Sequence, residues 1–237
     1  MNKKYVFDVD GTLTPSRGRI DEYFRLWFTD FCIRNEVYLV TGSDYEKTLE
    51  QLGDYLLRLP VFVYNCSGSD VWAKGERIRT SEWVLPDDLR SNLEIWLNDS
   101  GFQLRTGLHI EERPGTVNFS VVGRNATQEE RQLYVKWDLE TNERMNIAKM
   151  INTLYPNIQA TVGGETGIDI YPKGMDKSQI LVDFDKENDF ILFFGDKMEE
   201  GGNDFPLAAA LFRSYEGANY KVDDWKHTFE ILKRIGD

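Results

Sequence analysis

Carboxylates stand at two places in this chain where apolar runs end. Phe7-Asp8-Val9-Asp10-Gly11-Thr12-Leu13-Thr14 closes the first apolar stretch; Phe193-Phe194-Gly195-Asp196-Lys197 closes a late one and is followed by Gly201-Gly202-Asn203-Asp204. In an open parallel sheet such strand ends line the ligand crevice. Carboxylates gathered there repel one another unless a cation lies between them. Mg²⁺ suits, because it takes oxygen ligands and bridges to phosphate. Phosphoryl transfer needs mainly in-line positioning and charge compensation. Asp8 would attack phosphorus. Asp10, brought near by the turn at Gly11, would protonate the leaving oxygen and then deprotonate the incoming hydroxyl. Asp196 ends a strongly apolar strand, where a carboxylate is costly unless it is paired, hydrogen-bonded or on a metal; it is assigned to Mg²⁺.

Other residues suit the same chemistry. Thr41-Gly42-Ser43-Asp44 ends a short apolar strand and opens a helix. A hydroxyl and free amides at a helix N-terminus suit a phosphate oxygen, and Ser43 or Asp44 equally suits an N-cap. Lys177 opens a helix against the helix dipole, so a phosphate or an aspartate is expected beside it. Asn203 and Asp204 are placed to orient Lys177 or a metal-bound water, with N-capping as the alternative for Asp204. Arg113, Arg124 and Arg131 cluster in the middle of the chain, and guanidinium forks hold phosphate bidentately, although each taken singly reads better as an exposed surface arginine. His109 reads as a surface or strand residue rather than a catalyst, and His227 as structural.

The elements around these residues fall into two rhythms. Residues 4–9, 37–40 and 61–64 read as buried strands, with helices over 20–34 and from 44 to about 59; this alternation argues for a parallel α/β sheet. Residues 71–84 read as short strands around Lys74-Gly75-Glu76. A helix over 86–99 starts at Pro86. Paired strands over 103–122 are interrupted at Pro114-Gly115. Thr127-Gln128-Glu129-Glu130 has capping-box form, a second helix covers 142–154, and 158–171 returns to strand with a turn at Gly163-Gly164. The α/β rhythm resumes with a helix after Asp176, a strand over 190–194 and a helix over 224–235. The organisation is a discontinuous core, 1–80 and 173–237, with an inserted α+β domain, 81–172.

Composition sets bounds on partners. The chain has 237 residues, 41% of them hydrophobic, and a net charge of −12. That charge argues against nucleic acid or an anionic membrane surface, while local arginines still permit an anionic substrate. No stretch approaches a membrane span, and Asp8 and Asp10 interrupt the apolar run that follows Lys3-Lys4, so no secretory segment is expected there. A soluble, cytoplasmic protein with Cys32 and Cys66 as buried thiols is expected.

The two acidic motifs together resemble those of the haloacid dehalogenase (HAD) superfamily. The likeness narrows to the eukaryotic-type α-phosphomannomutases through Arg17, Gly42-Ser43-Asp44-Tyr45-Glu46-Lys47, Glu50-Gln51-Leu52-Gly53, Asn118-Phe119-Ser120-Val121-Val122-Gly123-Arg124, Gln128-Glu129-Glu130-Arg131, Gly163-Gly164, Asp169-Ile170-Tyr171-Pro172, Gly174 and Asp176-Lys177. The resemblance is collinear over nearly the whole chain. It implies a Rossmann-like HAD core with a parallel sheet, an inserted α+β cap that binds substrate, and a homodimer formed through the cap. It implies exchange of phosphate between the 6- and 1-positions of mannose, often also of glucose, primed by a hexose 1,6-bisphosphate. Carried over by motif, Asp8 is the nucleophile and Asp10 the acid and base, with Lys177 in the catalytic set. Asp8, Asp10 and Asp196 hold Mg²⁺. Arg17, Arg113, Arg124, Arg131 and Asp169 match substrate-binding positions; Thr41, Gly42 and Ser43, read from the strand–helix junction, are added to that set, with Asn203 and Asp204 in support. Three positions depart from the family pattern: Thr41 in place of a common glycine, Gly167 in place of a common serine, and Phe205-Pro206-Leu207-Ala208-Ala209-Ala210, which lacks the acidic residues some relatives use for a second ion. Thr41 and Gly167 lean toward the alternative, a sugar-phosphate phosphatase of the same superfamily. A non-catalytic sugar-phosphate binder would need no nucleophile.

Overall fold

The computed structural model describes residues 1–235. It divides into two compact units, one comprising Met1–Ser81 and the chain from Met175 onward, the other Glu82–Gly174. The chain begins with β1 (Asn2–Phe7), α1 (Glu22–Arg34), β2 (Val37–Val40), α2 (Tyr45–Leu52), α3 (Asp54–Leu57), β3 (Phe62–Asn65), β4 (Asp70–Ala73) and β5 (Glu76–Thr80). The inserted unit follows, with α4 (Asp87–Asp99), β6 (Ile110–Arg113), β7 (Thr116–Phe119), α5 (Gln128–Thr141), α6 (Glu143–Leu154), β8 (Ile158–Gly163) and β9 (Gly167–Pro172). A 3-10 segment (Lys177–Asp183), β10 (Asp189–Gly195), α7 (Phe205–Ser214), β11 (Gly217–Lys221) and α8 (Trp225–Ile235) complete the first unit.

The first unit is built on a sheet of order β11-β10-β1-β2-β3-β4-β5. The strands from β11 through β3 run parallel, and β4 and β5 form an antiparallel edge. Side chains alternate across a strand, so β1 sends Tyr5 and Phe7 to one face and Val6 to the other. Tyr5 and Phe7 pack with Phe24, Phe28 and Phe31 of α1. Val6 packs with Ile180 and with Leu207 and Leu211 of α7. With both faces covered, the strands read as continuous apolar runs. Rings of Phe7, Phe194 and Tyr220 stack in sequence across β1, β10 and β11, with centroids 4.7 Å apart at each step. From β1 the chain winds outward through β2 and β3, then returns to the other side of β1 as β10. The strand order therefore reverses beside β1, the position where such sheets bind ligands at their carboxyl ends.

The second unit is a four-stranded antiparallel sheet of order β6-β7-β9-β8. Val117 and Phe119 of β7, with Ile168 and Ile170 of β9, are buried against Leu89 and Leu93 of α4, Tyr134 of α5, and Ile147 and Ile151 of α6. The alternate positions are polar. Glu111, Asn118, Asp169 and Thr161 pair in register to form one row across all four strands. Thr127 and Glu130 form the reciprocal capping box that opens α5.

Several elements differ from their sequence reading. The helix expected from 44 to about 59 is broken by Gly53, whose φ of 83° lies outside the helical region. The helix expected after Asp176 is the tighter 3-10 form. Of residues 103–122, only 110–113 and 116–119 form strands. Neither α7 nor β11 was anticipated: α7 starts at a Phe-Pro pair, and β11 has no apolar run to mark it. Cys32 and Cys66 are buried thiols, as expected. Among the described residues no helix is long and apolar enough to cross a membrane.

The aromatic layer under the carboxyl edge should dominate the stability of the first unit. Phe28 is fully buried and meets Phe7 edge-on at 5.2 Å. Phe28→Ala should cost about 3–5 kcal/mol, read as a lowered urea midpoint for that unit.

Candidate active site

Strand ends supply the acidic groups of the first unit. β1 stops at Phe7, and the Asp8 amide gives the last ladder bond, to Phe194 O at 2.9 Å. Gly11 then turns the chain with φ 82°, and a Cβ there would lie 2.4 Å from Asp196 Oδ2. Only glycine satisfies both demands. The turn thus brings the Asp8–Asp10 segment against the end of β10.

Lys177 is the centre of the site. It is 1% exposed. Its ammonium donates to Asp8 Oδ1, and to Asp204 Oδ1 at 2.7 Å. Burial opposes its charge, but the carboxylates of Asp204 and Asp8 together outweigh that and hold it protonated. Asp204 stands at the N-cap position of α7 without capping it; its second oxygen accepts from the Lys197 amide at 3.0 Å. The side chain is thereby spent on Lys177 and the β10 loop. Asn203 is exposed on the preceding turn.

Ligand atoms of Asp8, Asp196 and Asp204 lie within 4.8 Å of one another. Three carboxylates outnumber the Lys177 ammonium buried among them and the Lys197 charge that acts on Asp196. Asp8 Oδ2 is buried with no hydrogen-bond partner among the described residues. Burial pushes the Asp8 carboxyl upward; Lys177 pulls it back, while Asp204 and Asp196 add to the rise. Burial, reinforced by Asp204, likewise raises Asp196. An orphaned buried oxygen inside a surplus of negative charge fits a hard, oxygen-ligated divalent cation.

Asp10 was expected among the metal ligands, but its carboxylate is engaged elsewhere. Oδ1 accepts from the Arg17 amide at 2.5 Å and from Gln51 Nε2 at 2.9 Å, and Oδ2 lies 3.3 Å from Ser43 Oγ. The structure groups Asp204, not Asp10, with Asp8 and Asp196. Thr41 is buried and its hydroxyl accepts from the Ser43 amide at 3.1 Å. Asp44 takes the cap of α2, accepting from the Lys47 amide at 2.9 Å. Space beside Gly42 is open, the nearest side-chain atom to an added Cβ being Ser67 Oγ at 4.0 Å. Arg17 contributes its amide, while its side chain is exposed.

In the inserted unit, Arg113 and Arg124 converge on Glu111, Arg124 Nε at 3.0 Å. Arg124 also reaches Asn118 Oδ1 at 3.3 Å, and Asn118 Nδ2 donates to Asp169 Oδ1 at 2.7 Å. Arg131 has a different partner, Glu165 at 3.1 Å. A Cβ at Gly167 would sit 2.5 Å from Asn118 Nδ2. A side chain at position 167 would therefore require the Asn118 carboxamide to shift. Sequence reasoning gave no role to Gln51, Asn118, Glu111 or Glu165. Gln51, Asn118 and Glu165 meet Asp10, Asp169 and Arg131 across 41, 51 and 34 positions; Glu111 has Arg113 two positions away, but nothing in that spacing marks it as a partner of Arg124 as well.

Solved structures share this architecture. The IMP-bound, N-terminally truncated IMP-nucleotidase of Plasmodium falciparum superposes with a TM-score of 0.65 at 15% identity, over 99% of this chain and 68% of that one. A haloacid dehalogenase-like hydrolase from Bacteroides thetaiotaomicron gives 0.64 at 14% identity, over 99% and 100%. The fold is that of the HAD superfamily. The model of the eukaryotic phosphomannomutase family matches residues 27–236. The phosphomannomutase of Saccharomyces cerevisiae is 31% identical over 97% of this chain and 92% of its own, and that of Galdieria sulphuraria 33% identical over 85% and 83%. The chain belongs to the eukaryotic phosphomannomutase family, a family of enzymes.

Cation binding at this cluster would have a thermal signature. At a hundred times its Kd, Mg²⁺ should stabilise the fold by about 2.7 kcal/mol, raising Tm by roughly 5–10 °C for a chain of this size. Because Asp8 and Asp196 are shifted upward, protons compete with the cation as pH falls, so the rise should be larger at pH 8 than at pH 6. Asp196→Asn should remove most of it in scanning fluorimetry. An equal rise in wild type and variant would place the ion elsewhere.

Proposed function

We propose that the protein interconverts mannose 6-phosphate and mannose 1-phosphate through a phosphoryl group carried on Asp8, primed by a hexose 1,6-bisphosphate. Membership in the family supports the substrate. The observation that carries the mechanism is the buried Lys177 shared by Asp8 and Asp204, which leaves the second Asp8 oxygen unpartnered. Lys177 holds Asp8 in place and favours its charged, nucleophilic form. Asp10 gives a proton to the departing sugar oxygen and takes one from the returning hydroxyl. A Mg²⁺ held by Asp8 and Asp196 would neutralise charge on the phosphoryl oxygens. Thr41, Gly42 and Ser43, with Arg17, are assigned to the phosphate being transferred. Arg113, Arg124 and Arg131 are assigned to the phosphate that is not reacting, and Asp169 to a sugar hydroxyl.

Mannose 1-phosphate supplied with Mg²⁺ and trace bisphosphate should yield mannose 6-phosphate in excess of free phosphate. Free phosphate alone would make the protein a sugar-phosphate phosphatase. Asp8→Asn should abolish turnover because the nucleophile is lost; Asp204 still partners Lys177, so the folded circular dichroism spectrum should persist at about 25 °C, with a lowered Tm because a buried charge partner is gone.

The arginines give a separate expectation. Arg124→Ala and Arg131→Ala should each weaken hexose-phosphate binding through loss of charge-assisted hydrogen bonds. Phosphorylation of Asp8 by acetyl phosphate, which has no second phosphate, should persist in both. Unchanged hexose-phosphate KM in both variants would remove the arginines from the substrate site.

A further inference from the structure

Gln51 has no role in the reaction as described above, yet it touches the residue assigned as acid and base. It lies near the end of α2 and is 2% exposed. Its Nε2 is 2.9 Å from Asp10 Oδ1, 3.1 Å from Thr14 Oγ1 and 3.2 Å from Gly18 O. Two N–H bonds thus serve three acceptors. Its own Oε1 is buried and has no donor among the described residues. The reverse orientation of the amide would set Oε1 against a carboxylate and a carbonyl, so only this one is tolerable. The side chain forgoes a hydrogen bond at one end to keep its donors aimed at the other.

The main chain of Gln51 holds the same loop, since its carbonyl accepts from the Ile20 amide at 3.0 Å. That loop carries Arg17, whose left-handed backbone, φ 56°, accompanies its amide bond to Asp10 Oδ1. Oδ1 therefore receives two N–H donors. Among the described residues, Oδ2 has the Ser43 hydroxyl as its one hydrogen-bond partner, a group that rotates to donate or accept.

We propose that Gln51 is the positioning residue for Asp10: with the Arg17 amide it saturates Oδ1 and leaves Oδ2 as the oxygen that carries the transferred proton. This rests on the assignment of Asp10 as acid and base. In the forward half-reaction an Asp8 oxygen bonds to phosphorus as the bond from phosphorus to the sugar oxygen breaks. That sugar oxygen takes the proton from Asp10 Oδ2, leaving a carboxylate. In the return half-reaction the hydroxyl returns its proton to Oδ2 as its oxygen displaces Asp8 from phosphorus. A sugar oxygen is a poor leaving group and needs the proton; acetate, leaving from acetyl phosphate, does not.

Leaving-group dependence tests the proposal. Single-turnover phosphorylation of Asp8 would be followed with mannose 1,6-bisphosphate and with acetyl phosphate in Gln51→Met and Gln51→Glu. General acid catalysis contributes roughly 10²–10⁴-fold, so misplacing the acid should slow the sugar-phosphate reaction by roughly 10–100-fold. Acetate release should stay within about threefold of wild type. Gln51→Glu keeps the shape and answers the question if Gln51→Met does not fold. Equal losses with both donors, or no loss with either, overturn the positioning role. Asp10→Asn is run in parallel. If it shows the leaving-group-selective loss and the Gln51 variants do not, the inference about Gln51 falls alone. If Asp10→Asn lacks that selectivity, the assignment of Asp10 falls and takes this inference with it.

Discussion

A buried ammonium shared by two buried carboxylates governs the first unit. Lys177 lies beneath the surface with Asp8 and Asp204 as its partners. Taking such charges out of water costs several kcal/mol per ion, and deleting one partner of a buried pair typically costs about 3–5 kcal/mol. The three residues come from the end of β1, the 3-10 segment and the loop after β10. Their mutual need for compensation ties these segments together at one point. It also sets the chemistry, because the charge that remains is negative and divided over oxygens.

The sheet makes that concentration of charge possible. Parallel strands with both faces covered leave their carboxyl ends as a place where polar groups can gather. The stacked rings of Phe7, Phe194 and Tyr220 give β1, β10 and β11 a stiff apolar base below it. Gly11 then lets the chain reverse within contact distance of Asp196. A side chain at that position would separate the two acidic motifs.

The inserted unit solves a different problem with the same alternation. One face of its sheet is buried under three helices, and the other carries a hydrogen-bonded row. Asn118 links Arg124 to Asp169, and Glu111 joins Arg113 to Arg124. The guanidinium groups are held in place by carboxylates. In the proposed reaction, an anionic ligand has to compete with Glu111 and Glu165.

What the sequence alone determined was local. An apolar run followed by Asp8-Val9-Asp10-Gly11, and another ending at Gly195-Asp196, placed carboxylates at strand ends, because strand and turn signals span only a few residues. The alternating α/β rhythm gave the class of the core, and Thr127 with Glu130 marked the start of α5 for the same reason. Tertiary structure alone decided the partnerships. Lys177 meets Asp8 from 169 positions away and Gln51 meets Asp10 from 41; no short pattern encodes either contact. It also decided that Asp204, not Asp10, completes the carboxylate cluster, since the Arg17 amide and Gln51 claim Asp10. The residues Gly217-Ala218-Asn219-Tyr220-Lys221 form β11 only because β10 lies beside them with unpaired backbone groups. Such elements owe their form to hydrogen bonds and charges brought together by the fold, and these have no signature until the chain is folded.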